Sequence, residues 1–377
     1  MSLKVRIALI VVVMAVVIGV SYWYMQVTTG KQEQVVEKKW RLRDNLMGVS
    51  FCDDDNGWAV GQYGTILHTT DRGKAWEYQK SGTNINLVGV FAVNPETAWA
   101  VGYAGTAVHT SDGGKTWNAV KTWTKYLYNG VHFVSPEEGW IVGEFEVILH
   151  TLDGGKTWKK AHGGEPEPID FDALAKGEIV DADYGMEEEV YTLNSVYFLN
   201  KDLGWAAGEY GTIIHTSDGG ATWEKQKPGT DHSLMDIEFV TPEFGLAVGL
   251  DSTILKTKDG GTTWMKEKPT VKTHYYGVTF RRYGPDVVRH DAFAVGQGVI
   301  AYYSYLKKEY LQNWMPAAEM KYDITYNWMY DVAFNARTGE EGIAVGEHGI
   351  VLRTPSGGHE WVLIDYPEKS LDYVMNP

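Results

Sequence analysis

The sequence predicts an all-β fold: a seven-bladed β-propeller of four-stranded antiparallel blades, preceded by an N-terminal transmembrane helix. Three observations predict it. A Gly-Trp-Ala-Val-Gly strand recurs with small variations, an Asp-Gly-Gly-Lys-Thr-Trp turn follows each copy after a short gap, and an apolar stretch precedes the first. The first Trp of the unit falls at Trp58, Trp99, Trp140 and Trp205, with Leu246, Phe293 and Ile343 in the matching places of later units. The steps are 41, 41, 65, 41, 47 and 50 residues. A second Trp keeps pace through Trp76, Trp117, Trp158, Trp223, Trp264, Trp314 and Trp361, so both marks count seven units. A period near 41 is the length of a four-stranded propeller blade.

The N-terminal element comes first. No charged residue lies between Arg6 and Lys31, and residues 7–25 are apolar apart from Gly19, Ser21 and the aromatic Tyr22, Trp23 and Tyr24. Nineteen helical residues span about 28 Å, close to the roughly 30 Å hydrocarbon core of a bilayer. The aromatic trio sits where an interfacial belt belongs. Two readings stand, an uncleaved anchor and a cleavable signal peptide with Gly19-Val20-Ser21 as its cleavage site. Basic residues flank the segment on both sides, and the single-span layout favours an exported propeller on the periplasmic, lumenal or otherwise extracytoplasmic side. No Cys closes the apolar run, which excludes a bacterial lipoprotein anchor. Residues 26–45 read as a polar linker, in which Lys39-Trp40-Arg41-Leu42 has the pattern of an additional strand near the ring closure.

The propeller is expected over residues 46–366, with a tail at 367–377. Unit two shows its strands most openly: Leu87 to Val93, Ala98 to Gly102, Thr106 to Thr110 and Trp117 to Val120. The turn between the last two is Ser111-Asp112-Gly113-Gly114-Lys115-Thr116, where glycines accept positive φ, the Asp accepts backbone hydrogen bonds, and the next Trp is expected to pack over the turn. Such units cannot bury both faces alone and must stack on neighbours, which a closed ring achieves. Cys52, the only cysteine, reads as a small hydrophobe within the first strand of unit one.

The turn matches the Asp-box or BNR repeat, Ser/Thr-x-Asp-x-Gly-x-Thr-Trp, at Thr69 to Trp76, Thr110 to Trp117, Thr151 to Trp158, Thr216 to Trp223 and Thr257 to Trp264. A decayed copy occupies Thr354 to Trp361, with Ser356 for the Asp. Combined with the Gly-Trp-Ala-Val-Gly strand, the pattern resembles the photosystem II stability/assembly factor family of propellers over roughly residues 46 to 364. The resemblance implies a non-enzymatic protein that holds a membrane protein client as an assembly or stability factor, or as an accessory subunit of a membrane complex. Asp71, Asp112, Asp153, Asp218 and Asp259 recur at equivalent turns and read as structural, each satisfying its own hairpin.

Departures from the repeat carry the functional candidates. The long step between units three and four places an insertion at residues 163–192, with ten acidic residues against Lys176, a net of −9 out of the chain's −15. This acidic loop, with Asp181, Asp183 and Glu187 as its contact residues, should attract basic partners and repel nucleic acid. It also offers oxygen ligands for calcium, but Met186 and Thr192 stand where an EF-hand needs Gly and Glu, so no metal is assigned. Asp53-Asp54-Asp55-Asn56-Gly57 resembles a metal loop until it is laid on the repeat, where it is an ordinary turn. Before each Asp-box stands His68, His109, His150, His215, Lys256 and, in unit seven, Arg353. In the family this resembles, basic residues, largely Arg, are common there, and an Arg-rich patch is implicated in gripping the client. Four are His here, which adds pH sensitivity if they bind a partner; the other reading is a packing position between blades. Unit six lacks the Asp-box turn and is crowded with aromatics, of which Tyr305, Tyr310 and Tyr326 are the surface candidates for partner binding.

An enzyme of the Asp-box class, a glycoside hydrolase or carbohydrate-binding propeller, is the alternative. A sialidase needs three substrate-gripping arginines, a Tyr nucleophile with a Glu partner and an acid/base Asp. The chain is poor in Arg and no Arg-Ile-Pro precedes the first unit. Glu144, Glu209 and Glu347 share one turn position, the mark of a structural habit. No nucleophile elbow, phosphate loop, zinc spacing or cofactor motif occurs.

Overall fold

A computed structural model describes residues 43–122, 124–164, 190–282, 290–303, 315–316, 327–335 and 339–368. The apolar segment 7–25, the Lys39 to Leu42 stretch and the tail from 369 onward lie outside the described residues. Among the described residues no helix is long and apolar enough to cross a membrane.

Seven four-stranded antiparallel sheets follow one another along the chain, each built from four consecutive strands in sequential order. Blade two has strands at Leu87–Asn94, Thr97–Gly102, Ala107–Thr110 and Asn118–Ala119, within a residue or two of the expected bounds. The seven second strands run from Gly57–Gly61 in blade one to Gly342–Gly346 in blade seven. Their residues are almost entirely buried because both faces pack against neighbouring blades. Cys52 falls one residue beyond the first strand, Leu46–Phe51, and not within it; its thiol approaches the Asn56 carbonyl, and burial pushes its pKa up to about 12.

The core is a set of layers between blades. Each of seven apolar clusters draws on two adjacent blades; Trp58, Val60 and Ile66 of blade one meet Leu87, Ala98 and Val108 of blade two. In blades one to four the second-strand Trp anchors the layer. Trp140 is sandwiched between His150 on its own third strand (4.6 Å) and Phe198 on the next blade's first strand (3.5 Å). The Asp-box Trp was expected over its own turn. Trp76 does donate to the Gly73 carbonyl, but Trp117 and Trp264 donate to Gln79 and Gln226 of the preceding blade, so this ring also belongs to the layer.

Among the described residues ring closure uses no strand exchange, since blade seven completes itself with Met329–Phe334, Gly342–Gly346, Val351–Thr354 and Val362–Leu363. The seam between blades seven and one is an apolar layer of Leu46, Leu67 and Trp76 with Val345, Val351 and Tyr366, fastened by polar contacts at three levels. Asp331 accepts the Val49 N–H at 2.8 Å near the axis. On one face Arg353 pairs with Glu341 at 2.9 Å and donates to the Arg72 carbonyl; on the other Arg43 pairs with Asp365 at 2.7 Å and stacks on Tyr366.

The Asp-boxes behave as expected of structural turns. Asp112 accepts the N–H and hydroxyl of Thr116 and the hydroxyl of Thr110, and Asp153, Asp218 and Asp259 repeat the arrangement. Asp71, with Ala75 in place of the Thr, accepts the N–H groups of Lys74 and Ala75 and the Thr69 hydroxyl. Asp53 likewise folds its own turn, accepting the N–H groups of Asp55 and Asn56.

Candidate functional site

The first strands line a central cavity of about 1010 Å³. Overlaying them shows why. Positions one, four and six are apolar and point into the blade layers, as in Leu193, Val196 and Phe198. Position three faces the next blade at close range: a Cβ on Gly48 would lie 2.8 Å from the Val88 carbonyl oxygen, and one on Gly89 2.6 Å from that of Asn129. Where that position carries a side chain, it reaches the neighbour through a hydrogen bond. Ser195 donates to Asp236 at 2.7 Å, and Asp236 accepts the Val278 N–H at 2.8 Å. Burial raises the Asp236 carboxyl above its ordinary range and the Asp331 carboxyl well above it, although each accepts backbone N–H groups that favour the anion.

Positions two and five line the cavity, and they vary from blade to blade. Toward the Asp-box face, position five supplies Phe91, His132, Tyr197 and Glu238 from blades two to five, joined by Arg282 at the end of the long blade-six strand Tyr275–Arg282. Phe91, His132 and Tyr197 form a continuous aromatic wall with centroid steps of 4.7 and 5.0 Å. The Arg282 guanidinium donates to Tyr197 Oη at 2.7 Å and lies 3.4 Å from Glu238. Its side chain is 43% exposed, so much of the guanidinium fork faces the cavity. Burial pushes Glu238 up to about 7 against the pull of Arg282, holds His132 neutral by lowering it to about 3, and raises Tyr197 to about 12. At the other mouth Tyr276 and Tyr330, both at position two, meet Trp328 in a fan with centroid distances of 5.6 to 6.4 Å.

The basic ring expected from the sequence is placed on the third strands. His68, His109, His150 and His215 lie directly opposite the second-strand Trp residues; the first three stack on them at 4.3, 4.4 and 4.6 Å, and His215 is tilted against Trp205 at 5.0 Å. Burial lowers the pKa of all four. His150 also touches Glu138 at 3.2 Å, which opposes the shift. Lys256 is buried in an ion pair with Glu267, and Arg353 is held in the seam. Blade six puts Tyr302 at this position, facing Phe293. Asp181, Asp183, Glu187, Tyr305, Tyr310 and Tyr326 lie outside the described residues. Glu144, Glu209 and Glu347 turn inward onto the N–H groups of Leu127, Thr192 and Trp328. Among the described residues no group of three or more His, Cys, Asp or Glu is arranged to hold a metal ion.

Sequence reasoning missed the cavity cluster and the Tyr276–Trp328–Tyr330 fan. A signal was present: laid blade on blade, the first strands hold positions one, four and six apolar while two and five change freely, as residues facing a cavity do.

Comparison with known proteins decides the family. A family model described as the photosynthesis system II assembly factor YCF48 matches residues 31–126, 80–170, 129–228 and 222–305. This chain belongs to the YCF48 family. Among solved structures, it is similar to one described as YCF48 bound to D1 peptide, with 17% identity, a TM-score of 0.61, and coverage of 83% of this chain and 92% of that one. YCF48 from Cyanidioschyzon merolae matches at 18% identity and a TM-score of 0.60, covering 83% of this chain and 96% of that one. A GH74 xyloglucanase from Xanthomonas campestris matches at 12% identity and a TM-score of 0.63, covering 86% of this chain and 55% of the enzyme. At these identities the likenesses establish the propeller fold alone. No curated protein matches the chain.

Proposed function

We propose that this YCF48-family propeller works without catalysis, as an assembly or stability factor that takes an extended segment of a membrane protein client into its central cavity. The observation that carries the proposal is the cavity itself, with an aromatic fan at one mouth and the half-exposed Arg282 fork, flanked by Tyr197 and Glu238, at the other. An extended chain presents apolar side chains for the fan and a carboxylate, terminal or side-chain, for the guanidinium. The family membership supports this reading, as does a similar structure described with a bound peptide. On the same reading residues 7–25 anchor the chain and the propeller is exported, which a C-terminal alkaline phosphatase fusion tests, since that enzyme is active only outside the reducing cytoplasm: a stable but inactive fusion would refute export.

The experiment is capture from gently solubilised membranes with the tagged full chain. Wild type is expected to recover a membrane protein, and Arg282→Gln, which keeps a donor beside Tyr197 and removes the charge, to lose at least tenfold of it while remaining folded in thermal melts. Recovery of glycans in place of membrane protein would overturn the reading in favour of the carbohydrate-binding alternative.

A further inference from the structure

The second glycine of each Asp-box turn closes against the preceding blade, and one gap between blades is filled unlike the others. A Cβ on Gly73, Gly114, Gly155, Gly261 or Gly358 would strike a side chain of that blade, respectively Ile343, Gln79, Trp99, Gln226 and Phe293. On Gly220, in the turn of blade four, the nearest atoms would be Trp140 Nε1 at 3.1 Å and Trp223 Nε1 at 3.4 Å. An acceptor atom over Gly220 therefore lies within hydrogen-bond reach of two indole N–H groups. A pocket of about 290 Å³ opens here, lined by Ala161, Gly219 and Gly220 with Lys159 and Lys160 exposed at its rim.

The difference traces to one residue on the fourth strand of the preceding blade. Three residues after the Asp-box Trp, blade one has Gln79 and blade four Gln226, and each reaches across its gap. Gln79 Oε1 accepts Trp58 Nε1–H at 3.0 Å and Trp117 Nε1–H at 3.1 Å, while its Nε2 donates to the Gly113 carbonyl at 2.8 Å. Gln226 Oε1 accepts Trp264 Nε1–H at 3.0 Å, and its Nε2 donates at 3.1 Å to the Gly260 carbonyl, which also accepts from Trp205 at 3.2 Å. Blade three, whose fourth strand is Lys159–His162, has Ala161 at this position. Trp140 still donates to the Gly219 carbonyl at 3.3 Å, but Trp223 Nε1 is buried with no acceptor among the described residues. Trp158 and Trp361 share that lack, yet in their gaps the rings of Trp99 and Phe293 cover the turn. Among the described gaps, the one between blades three and four alone sets such a donor beside an open space.

We propose that this notch binds a primary carboxamide, the side chain of a glutamine presented by a partner polypeptide, in the place that Gln226 fills one blade further on. The amide oxygen takes the Trp223 N–H, and the amide nitrogen donates to the second lone pair of the Gly219 carbonyl, as Gln226 does to Gly260. The requirement is selective. A carboxylate has no N–H for Gly219, and a trans peptide group directs its N–H and C=O to opposite sides, whereas a primary carboxamide carries donor and acceptor on one edge. Asp218 does not compete for the amide, because its carboxylate is held by Thr222 and Thr216 within the turn. The pocket is larger than a carboxamide, with room for the methylene stem beside Ala161 and for backbone at the lysine rim, which favours a polypeptide over a free amide. None of its lining residues borders the central cavity, so the site stands or falls separately from the client reading above.

The test titrates the full chain, carrying isotope-labelled tryptophan, with N-acetylglutamine methylamide, its glutamic acid analogue and acetamide, and follows the indole N–H resonances by NMR. Trp223→Phe assigns the Trp223 signal. The glutamine probe is expected to move that signal downfield and to bind at least tenfold more tightly than either comparison compound. Ala161→Gln should set its own amide over Gly220, shift the same signal without probe, and weaken probe binding at least tenfold. Ala161→Val, which copies Val120 of blade two, should block the probe without supplying an amide. A Trp223 signal that ignores the probe yet shifts in Ala161→Gln would overturn the proposal by leaving the notch to solvent. Equal binding of the glutamic acid analogue would remove the carboxamide requirement, and equal binding of acetamide would remove the polypeptide. Binding that survives both Ala161 substitutions would place the probe elsewhere and overturn the site itself.

Discussion

Each histidine before an Asp-box sits between competing demands, because its ring packs on a buried Trp while its nitrogens prefer water or a partner. Burial lowers the pKa of His109 and His150, so the neutral form is the one that folds. The stability this brings is complete above the unfolded pKa of about 6.5 and is lost as pH falls toward the folded value. His109→Gln combined with His150→Gln should cost about 1 kcal/mol per lost stack. The melting temperature is expected to fall by a few degrees at pH 8, with a smaller difference at pH 5.5, while client capture is unchanged. Glu238 has the opposite sign. Its folded pKa of about 7 lies above the unfolded value near 4.3, so the native state loses stability as pH rises between them. Glu238→Gln should therefore gain on wild type from pH 4 to 8 in thermal melts; a constant difference would show that Glu238 is not held protonated. The histidine column was legible in the sequence. Its stacking was not, because it depends on the cross-strand register of His109 with Trp99 and on the next blade's Phe133.

Hairpins were the most legible elements, since an Asp-box is closed by contacts within five residues, such as Asp112 with Thr116. One exception is instructive. In the turn after the second strand, blades one, two, four and seven use Gly64, Gly105, Gly211 and Gly349 at positive φ, whereas blade five has Ser252 at φ 60° and blade three Glu146 at φ 52°. Its buried carboxylate meets His162 and accepts the Tyr191 N–H, and its own N–H donates to the Tyr191 carbonyl. Glu146 thus ties the departing and returning ends of the acidic insertion together. Glu146→Gly should relieve the left-handed conformation yet free the neck. Amide exchange at Gly164 and Tyr191 is expected to quicken at least tenfold while the global melting temperature changes little. Exchange as slow as in wild type would show that the neck holds itself. Unit six was the least legible element: without an Asp-box, neither local turn chemistry nor Trp spacing fixed its outer strands, and Tyr305 and Tyr310 lie outside the described residues.

At the scale of the whole ring, closure among the described residues rests on one ordinary blade layer reinforced by polar contacts, because no described strand crosses from blade seven to blade one. Asp331 is the central fastening, accepting the N–H groups of Val49 and Val332. Asp331→Ala leaves both donors unsatisfied and should cost about 1–3 kcal/mol in urea unfolding. Faster exchange at the Val49 amide than at the equivalent Val278 would locate the loss at the seam, and equal exchange would exclude it.

The sequence by itself determined the number of blades, the strand order and the structural part of each Asp-box. Those depend on contacts inside one 41-residue unit, repeated until the period could be measured. Only the tertiary structure decided which side chains share the cavity. Phe91, His132, Tyr197, Glu238 and Arg282 come from five blades, and nothing local links them until the ring closes.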